Sequence, residues 1–187
     1  MLKIKEIQSP FEAETIEGLK AGEQVLISGV IYTARDAAHE RMVQAIEKGE
    51  KLPFDINGQT IYYMGPSPAP EGKIIGSAGP TTGSRMDAFT PPLLDAGLRA
   101  MIGKGGRSVE VRQNIKKYGA VYFVTYGGAG ALLSQAIKKA EVIAYPELAA
   151  EAVMRLEVKD FPAIVANDIY GGDLFTTARD KYRQPMT

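Results

Sequence analysis

QVLISGVIYTARDAAHERMVQAIEKGE, residues 24–50, changes its period part-way along. Residues 24–34 form a run rich in Val, Ile, Leu and Tyr, the composition of a buried strand. From Arg35 the apolar residues fall instead at Ala38, Met42, Ala45 and Ile46, one face of a helix. Asp36 favours the start of that helix, and Gly49 is placed to close it. A β-run passing directly into an amphipathic helix points to a mixed α/β fold.

Working outward, KIKEI (3–7) reads as a first short strand. Ser9 and Pro10 have the chemistry of an N-cap and first helical residue for a turn within 9–23. Asn57-Gly58 ahead of QTIYYMG carries a hairpin signal. PSPAPEG (66–72) is a rigid loop, and KIIGSAG (73–79) reads as a strand. A helix is predicted from Asp87 to Ala100, ending at Gly103, and another over 108–119, closed by Gly119. AVYFVTY (120–126) is a buried strand, 127–140 a short helix and EVIAY (141–145) a strand. Residues 151–161 and 162–172 read as two more strands, followed by a polar tail (173–187) suited to lying on a partner. With no repeat, linker or low-complexity block, residues 1–187 are expected to form a single domain.

Composition narrows the chemistry. The chain carries 22 basic and 22 acidic residues, a balance that argues against a general nucleic-acid or membrane-surface role. No apolar run approaches the ~18 residues of a membrane helix, and charge begins at Lys3, so neither membrane span nor signal peptide is expected and the address is cytoplasmic. There is no cysteine and one histidine, His39. A cysteine-ligated metal or cluster held by this chain alone, and a multi-histidine metal site, are therefore excluded. Chemistry here must use Arg, Lys, Thr, Ser, Asp, Glu or Tyr, or a partner.

Three stretches place cations on loops at element ends. In YTARD, Arg35 stands where a β-run gives way to a helix. In GPTTGSRMD (79–87), Thr81, Thr82, Ser84 and Arg85 precede another helix. In IGKGG, Lys104 lies between glycines past a helix end. A helix N-terminus carries partial positive charge, so an arginine there is disfavoured unless an anion joins both. Arginine forks grip carboxylates through paired hydrogen bonds, which suits a small dicarboxylate. Each residue also has a plainer reading. Arg35 or Arg85 alone fits a solvated ion pair, Thr81 and Thr82 fit turn caps, Lys104 fits a solvated loop lysine, and His39 fits a structural histidine. Glu147 and Glu151 fit solvent-facing or helix-capping acids. A phosphate loop does not fit. Gly79 and Gly83 enclose three residues where four are needed, and Ser84 stands where lysine belongs.

LISGVIYTARDAAHERM, GPTTGSRMD, MIGKGG, YGGAGALL and EAVMRLEVKDFPAIVANDIYGG together resemble the β-type catalytic domain of the class I, iron–sulfur-dependent fumarases and L-tartrate dehydratases. The likeness runs nearly end to end, and GPTTGSRMD is its most specific part. It implies a swivelling β/β/α domain, here expected as a separate β subunit. It also implies a [4Fe–4S] cluster held by three cysteines of an α-type partner, with one iron binding the substrate hydroxyl and a carboxylate. An α2β2 assembly and a dicarboxylate substrate follow from the same likeness. By resemblance, Arg35, Arg85 and Lys104 would hold substrate carboxylates. Thr81 and Thr82 would sit at the reacting carbons, Thr81 as base or proton relay, with His39 and Ser84 in the layer behind. The implied reaction is reversible hydration of fumarate to L-malate. L-Tartrate dehydration is the alternative within the family, and a non-catalytic carboxylate-binding or scaffold subunit is the alternative outside it.

Overall fold

The structure, a computed structural model, describes residues 4–183. In chain order its elements are β1 (Lys5–Ser9), α1 (Ala13–Glu17), β2 (Gln24–Thr33), α2 (Asp36–Glu47) and β3 (Thr60–Tyr62). A 3₁₀ turn (Gly83–Phe89) then leads into α3 (Thr90–Asp95), β4 (Ala100–Gly103), α4 (Val109–Tyr118) and β5 (Val121–Val124). The chain continues through α5 (Gly130–Leu133), β6 (Ile137–Ala144), β7 (Val153–Asn167) and α6 (Leu174–Tyr182).

β1 to β5 lie side by side and parallel. β7 runs antiparallel to β5, and β6 lies beside β7. β7 also pairs along β2, from Gln24↔Ile164 to Thr33↔Met154. That pairing closes β2, β3, β4, β5 and β7 into a ring. Successive strand residues point to opposite sides. Tyr62, Ile102 and Phe123 join one core with Ile27, Leu156 and Phe161. Ile61, Met101 and Tyr122 join a second core, against Ala38 and Met42 of α2, Leu94 of α3 and Ile115 of α4. Each such fully buried large side chain contributes about 1.5–3 kcal/mol by leaving water.

The mixed α/β expectation holds, and the strand–helix unit of residues 24–50 appears as β2 and α2. Buried Ala38, Met42 and Ala45 line the inner face of α2, and Gly49 follows its end at φ 67°. Helix α4 opens on Ser108, whose side chain accepts from Val111 N, and closes on left-handed Gly119.

Several local expectations are corrected. Ser9 ends β1 instead of capping a helix; its hydroxyl donates to Val30 O at 2.6 Å, and α1 starts later without a side-chain cap. Asn57-Gly58 makes no hairpin, because β3 pairs in parallel with both neighbours. Residues 73–79 form no strand. They run as a loop anchored to Ser67, whose Oγ accepts from Ser77 N and whose amide donates to Ser77 O. The predicted 87–100 helix divides into the 3₁₀ turn and α3, and Gly103 ends a strand, β4. β6 begins at Ile137, shortening the helix expected over 127–140. The two last strands are one, β7. Between Ile27/Gly29 and Phe161/Val158 its register shifts by one residue, with Asp160 at φ 54° donating its amide to Ser28 Oγ. This bulge beside Pro162 imitates a strand break in sequence. The described part of the tail forms α6, capped by Asp173. Lys3 and residues 184–187 lie outside the described residues.

Candidate functional site

The carboxyl ends of β2, β3 and β4 lie adjacent because these strands are parallel neighbours. Arg35 follows β2, Tyr63 and Gly65 follow β3, and Lys104 follows β4. In parallel α/β sheets, open or closed, the carboxyl-end edge is where ligands collect, since helix starts and loops converge there.

Arg35 is the N-cap residue of α2 and is held by acids on two sides. Its Nη2 lies 3.4 Å from Glu151 Oε1, and its Nε lies 3.9 Å from Asp36 Oδ2. Glu151 also accepts from Ala37 N at 2.9 Å, so it caps the helix and neutralises the arginine together. Gly65 is required by this packing. A Cβ there would stand 2.6 Å from the Ala150 carbonyl oxygen, which the backbone fixes, and 2.8 Å from Arg35 Nη1. Arg35 Nε is buried and finds no hydrogen-bond partner.

Arg85 reaches the same place from the 3₁₀ turn. Its Nε donates to Asp36 Oδ1 at 3.0 Å and its Nη2 to Oδ2 at 2.8 Å. Asp36 therefore stands between both arginines. The sequence reading used Asp36 only as a helix-start residue. Its signal was the Arg-Asp pair itself, an acid beside an otherwise disfavoured N-terminal arginine.

Thr81 and Lys104 are joined through the backbone. Thr81 N donates to Tyr63 O at 2.6 Å, and Lys104 N donates to Thr81 O at 3.0 Å. Gly83 N then donates to Lys104 O at 2.7 Å, and Thr82 forms a parallel bridge with Lys104. The Thr-Thr-Gly stretch is thus pinned between the ends of β3 and β4, and Lys104 follows a strand end, not the helix end expected from sequence. Among the described residues, no hydrogen bond or ion pair engages the side chains of Thr81, Thr82, Ser84 or Lys104. A Cβ at Gly127 would lie 3.5 Å from Lys104 Cδ, so the YGGAG loop borders the lysine stem. Arg85, Ser84 and Lys104 are exposed. A cavity of about 580 Å³ between residues 70–77 and 131–138 includes none of the four site residues Arg35, Thr81, Arg85 and Lys104.

Beneath the loop lies a charge that sequence did not reveal. The Arg107 side chain is 0% exposed and donates to Asp87 at 2.6 Å, Thr90 Oγ1 at 2.6 Å and Tyr63 OH at 3.3 Å. Its guanidinium lies 4.8 Å from the Tyr122 ring centre. Asp87 is the last residue of GPTTGSRMD, so this network anchors the loop from below. Gly83 is packed so closely on Tyr122 and Arg107 that a side chain would collide with the phenol.

His39 is buried, and its Nδ1 donates to the Arg35 carbonyl at 2.9 Å. The ring packs edge-on against Tyr63, and Nε2 has no partner. Burial pushes its pKa down from 6.5 to about 4, against the raising effect of the Arg35 hydrogen bond and with help from the Arg107 charge. The folded chain thus favours neutral His39, while the unfolded chain binds a proton near its ordinary pKa. Stability from this group is full above pH 6.5 and declines as pH falls toward 4. The full loss is about 3 kcal/mol. Urea unfolding of wild type and His39→Leu between these pH values should show a shallower acid slope in the variant. Equal slopes would refute the assignment.

Residues 2–178 match the family described as Fumarase C-terminus. The chain belongs to that family. This Fumarase C-terminus chain is 42% identical over 151 residues to "Fumarate hydratase class I, aerobic" of Salmonella typhimurium, covering 80% of the chain and 26% of the relative. It is 39% identical over 157 residues to "Fumarate hydratase 2" of Leishmania major, covering 83% and 28%. It therefore spans little more than a quarter of the length of these two fumarate hydratases. With "Putative L(+)-tartrate dehydratase subunit beta" of Methanocaldococcus jannaschii it shares 37% identity over 177 residues, covering 91% of each chain.

The donors of this Fumarase C-terminus chain do not fit an iron–sulfur cluster. It has no cysteine, and its one histidine is enclosed by Tyr63 and Phe89. Among the described residues no three His, Asp or Glu side chains gather to hold a metal, and no helix is long and apolar enough to cross a membrane.

Proposed function

We propose that this chain is the β-type half of a hydro-lyase that reversibly hydrates fumarate to L-malate in the cytoplasm. It forms one swivelling β/β/α domain over residues 1–187. It works with a cysteine-bearing α-type chain, two copies of each, and that partner holds the [4Fe–4S] cluster. The observation carrying this reading is the meeting of Arg35 and Arg85 on the one carboxylate of Asp36. Two guanidinium groups and the Lys104 ammonium outnumber Asp36 and Glu151, leaving this face ready for an anion.

The chemistry explains the need for cations. Removing a proton from carbon next to a carboxylate builds negative charge on that carboxylate. Fixed positive groups at hydrogen-bonding distance stabilise the charge as it forms. Arg35, with Lys104 as a point charge, would face the carboxylate where charge builds, and Arg85 would fork the other carboxylate and bind it equally before and during reaction. Thr81 would carry the proton, and Thr82 would border the reacting carbons. Exposure of Arg85, Ser84 and Lys104 fits a site whose other wall belongs to the partner.

L-Tartrate dehydration is the second reading, favoured by the 91% mutual coverage with the archaeal relative. One experiment tests both. The purified chain should be folded but inactive alone. Addition of the α-type partner under anaerobic conditions should produce turnover of malate and fumarate. Turnover of tartrate instead would select the second reading. Robust turnover by the metal-free chain alone would overturn the split site, and no turnover by the assembly would remove the hydro-lyase assignment and leave a binding or scaffold subunit.

A further inference from the structure

We infer that Asp36 is a positioning residue for substrate binding: it fixes the guanidinium of Arg85 and leaves that group's outer edge for a substrate carboxylate. The inference rests on the hydro-lyase reading and adds a residue to it. A guanidinium has five N–H donors. Asp36 takes two of them, one on Nε and one on Nη2, in a side-on fork. The other three have no protein partner among the described residues. The Arg85 side chain is 50% exposed, so those donors are open to a ligand.

Without Asp36, Arg85 would stand on a short 3₁₀ turn with a long, freely rotating side chain. Ordering such a chain costs side-chain entropy, which would weaken every binding event. The fork settles the orientation beforehand. Asp36 is itself held, being the first residue of α2, where the helix start favours an anion. The same carboxylate lies 3.9 Å from Arg35 Nε, a buried donor lacking a partner. It therefore also keeps two guanidinium groups close together that would otherwise repel.

A plain surface ion pair would show none of the following behaviour. In the anaerobic assembly with its partner, Asp36→Asn is expected to raise KM for malate about tenfold to a hundredfold, with kcat within about threefold of wild type. Asp36→Glu, which keeps the charge, should recover part of the loss. Arg85→Lys keeps charge without the fork and should also act mainly on KM. If Asp36 acts through Arg85, adding Asp36→Asn to Arg85→Lys should cost little more than Arg85→Lys alone. Wild-type KM in Asp36→Asn, or additive losses in the double variant, would overturn the inference. So would parallel losses of kcat and melting temperature in both Asp36 variants, the mark of a merely structural residue. An assembly that turns over neither malate, fumarate nor tartrate would remove the hydro-lyase reading and this inference with it.

Discussion

Arg107→Met is expected to destabilise the chain by about 3–5 kcal/mol, the cost of leaving the partner of a buried ion pair uncompensated. Folded domains have roughly 5–15 kcal/mol in all, so a large share of the stability is at stake. The Arg107 side chain is fully enclosed, and Asp87 opposite it is only 18% exposed. Methionine fills much of the stem volume but returns nothing to the Asp87 carboxylate, the Thr90 hydroxyl or the Tyr63 phenol. Asp87 would keep only the Ser108 amide at 2.8 Å. Adding Asp87→Asn to Arg107→Met should recover part of the loss, because the stranded charge is then gone. Chemical denaturation of wild type, both single variants and the double variant measures this. A loss below about 1 kcal/mol in Arg107→Met would show that the pair behaves like a surface bridge. The variant should also loosen the loop above, since Gly83 rests on the Arg107 stem.

Nothing near Arg107 in the sequence announced that role. GGRSVE reads as a loop entering a helix, and burial of a charge is decided by residues far away in the chain. β4 was hidden for another reason: four buried residues after an amphipathic stretch look like one more helical turn, and period alone does not separate the two. KIIGSAG misled in the opposite direction. It has strand composition, but Gly76 is packed against the backbone of Ser67 and Pro68, and the segment joins no ladder. β2, α2 and α4 were legible because periodicity, caps and burial agree along them. At the candidate site, residue type and resemblance single out Arg35, Thr81, Arg85 and Lys104 as candidates, and the fold gathers their backbones on one strand-end edge. Asp36 was visible but misjudged. It sits next to Arg35 in sequence, yet its paired hydrogen bonds go to Arg85, 49 residues away.

Thr81→Val is expected to lower kcat of the assembled enzyme by about 10²–10⁴-fold while KM changes little, the range for a positioned proton-transfer group. Valine keeps the branched shape and removes only the hydroxyl. The backbone that presents it should hold, because Thr81 is fixed by its amide to Tyr63 O and by its carbonyl to Lys104 N. The hydroxyl makes no hydrogen bond within the described chain, so its loss strands no buried group here. An unassisted threonine hydroxyl is a very weak base at neutral pH, and the proposed role therefore requires a neighbour that takes the proton onward. His39 is a poor candidate: it is enclosed, and its Nδ1 is committed to the Arg35 carbonyl. Under the proposed function, a carboxylate of the α-type partner would be the chemically suitable relay. Thr81→Ser retains a hydroxyl and should recover much of the rate. Thr82→Val should do less, because Thr82 is placed chiefly by its bridge to Lys104. Steady-state kinetics on malate and fumarate decide the point. A rise in KM with kcat intact would make Thr81 a binding group, and the proton would then have to leave through a residue of the partner.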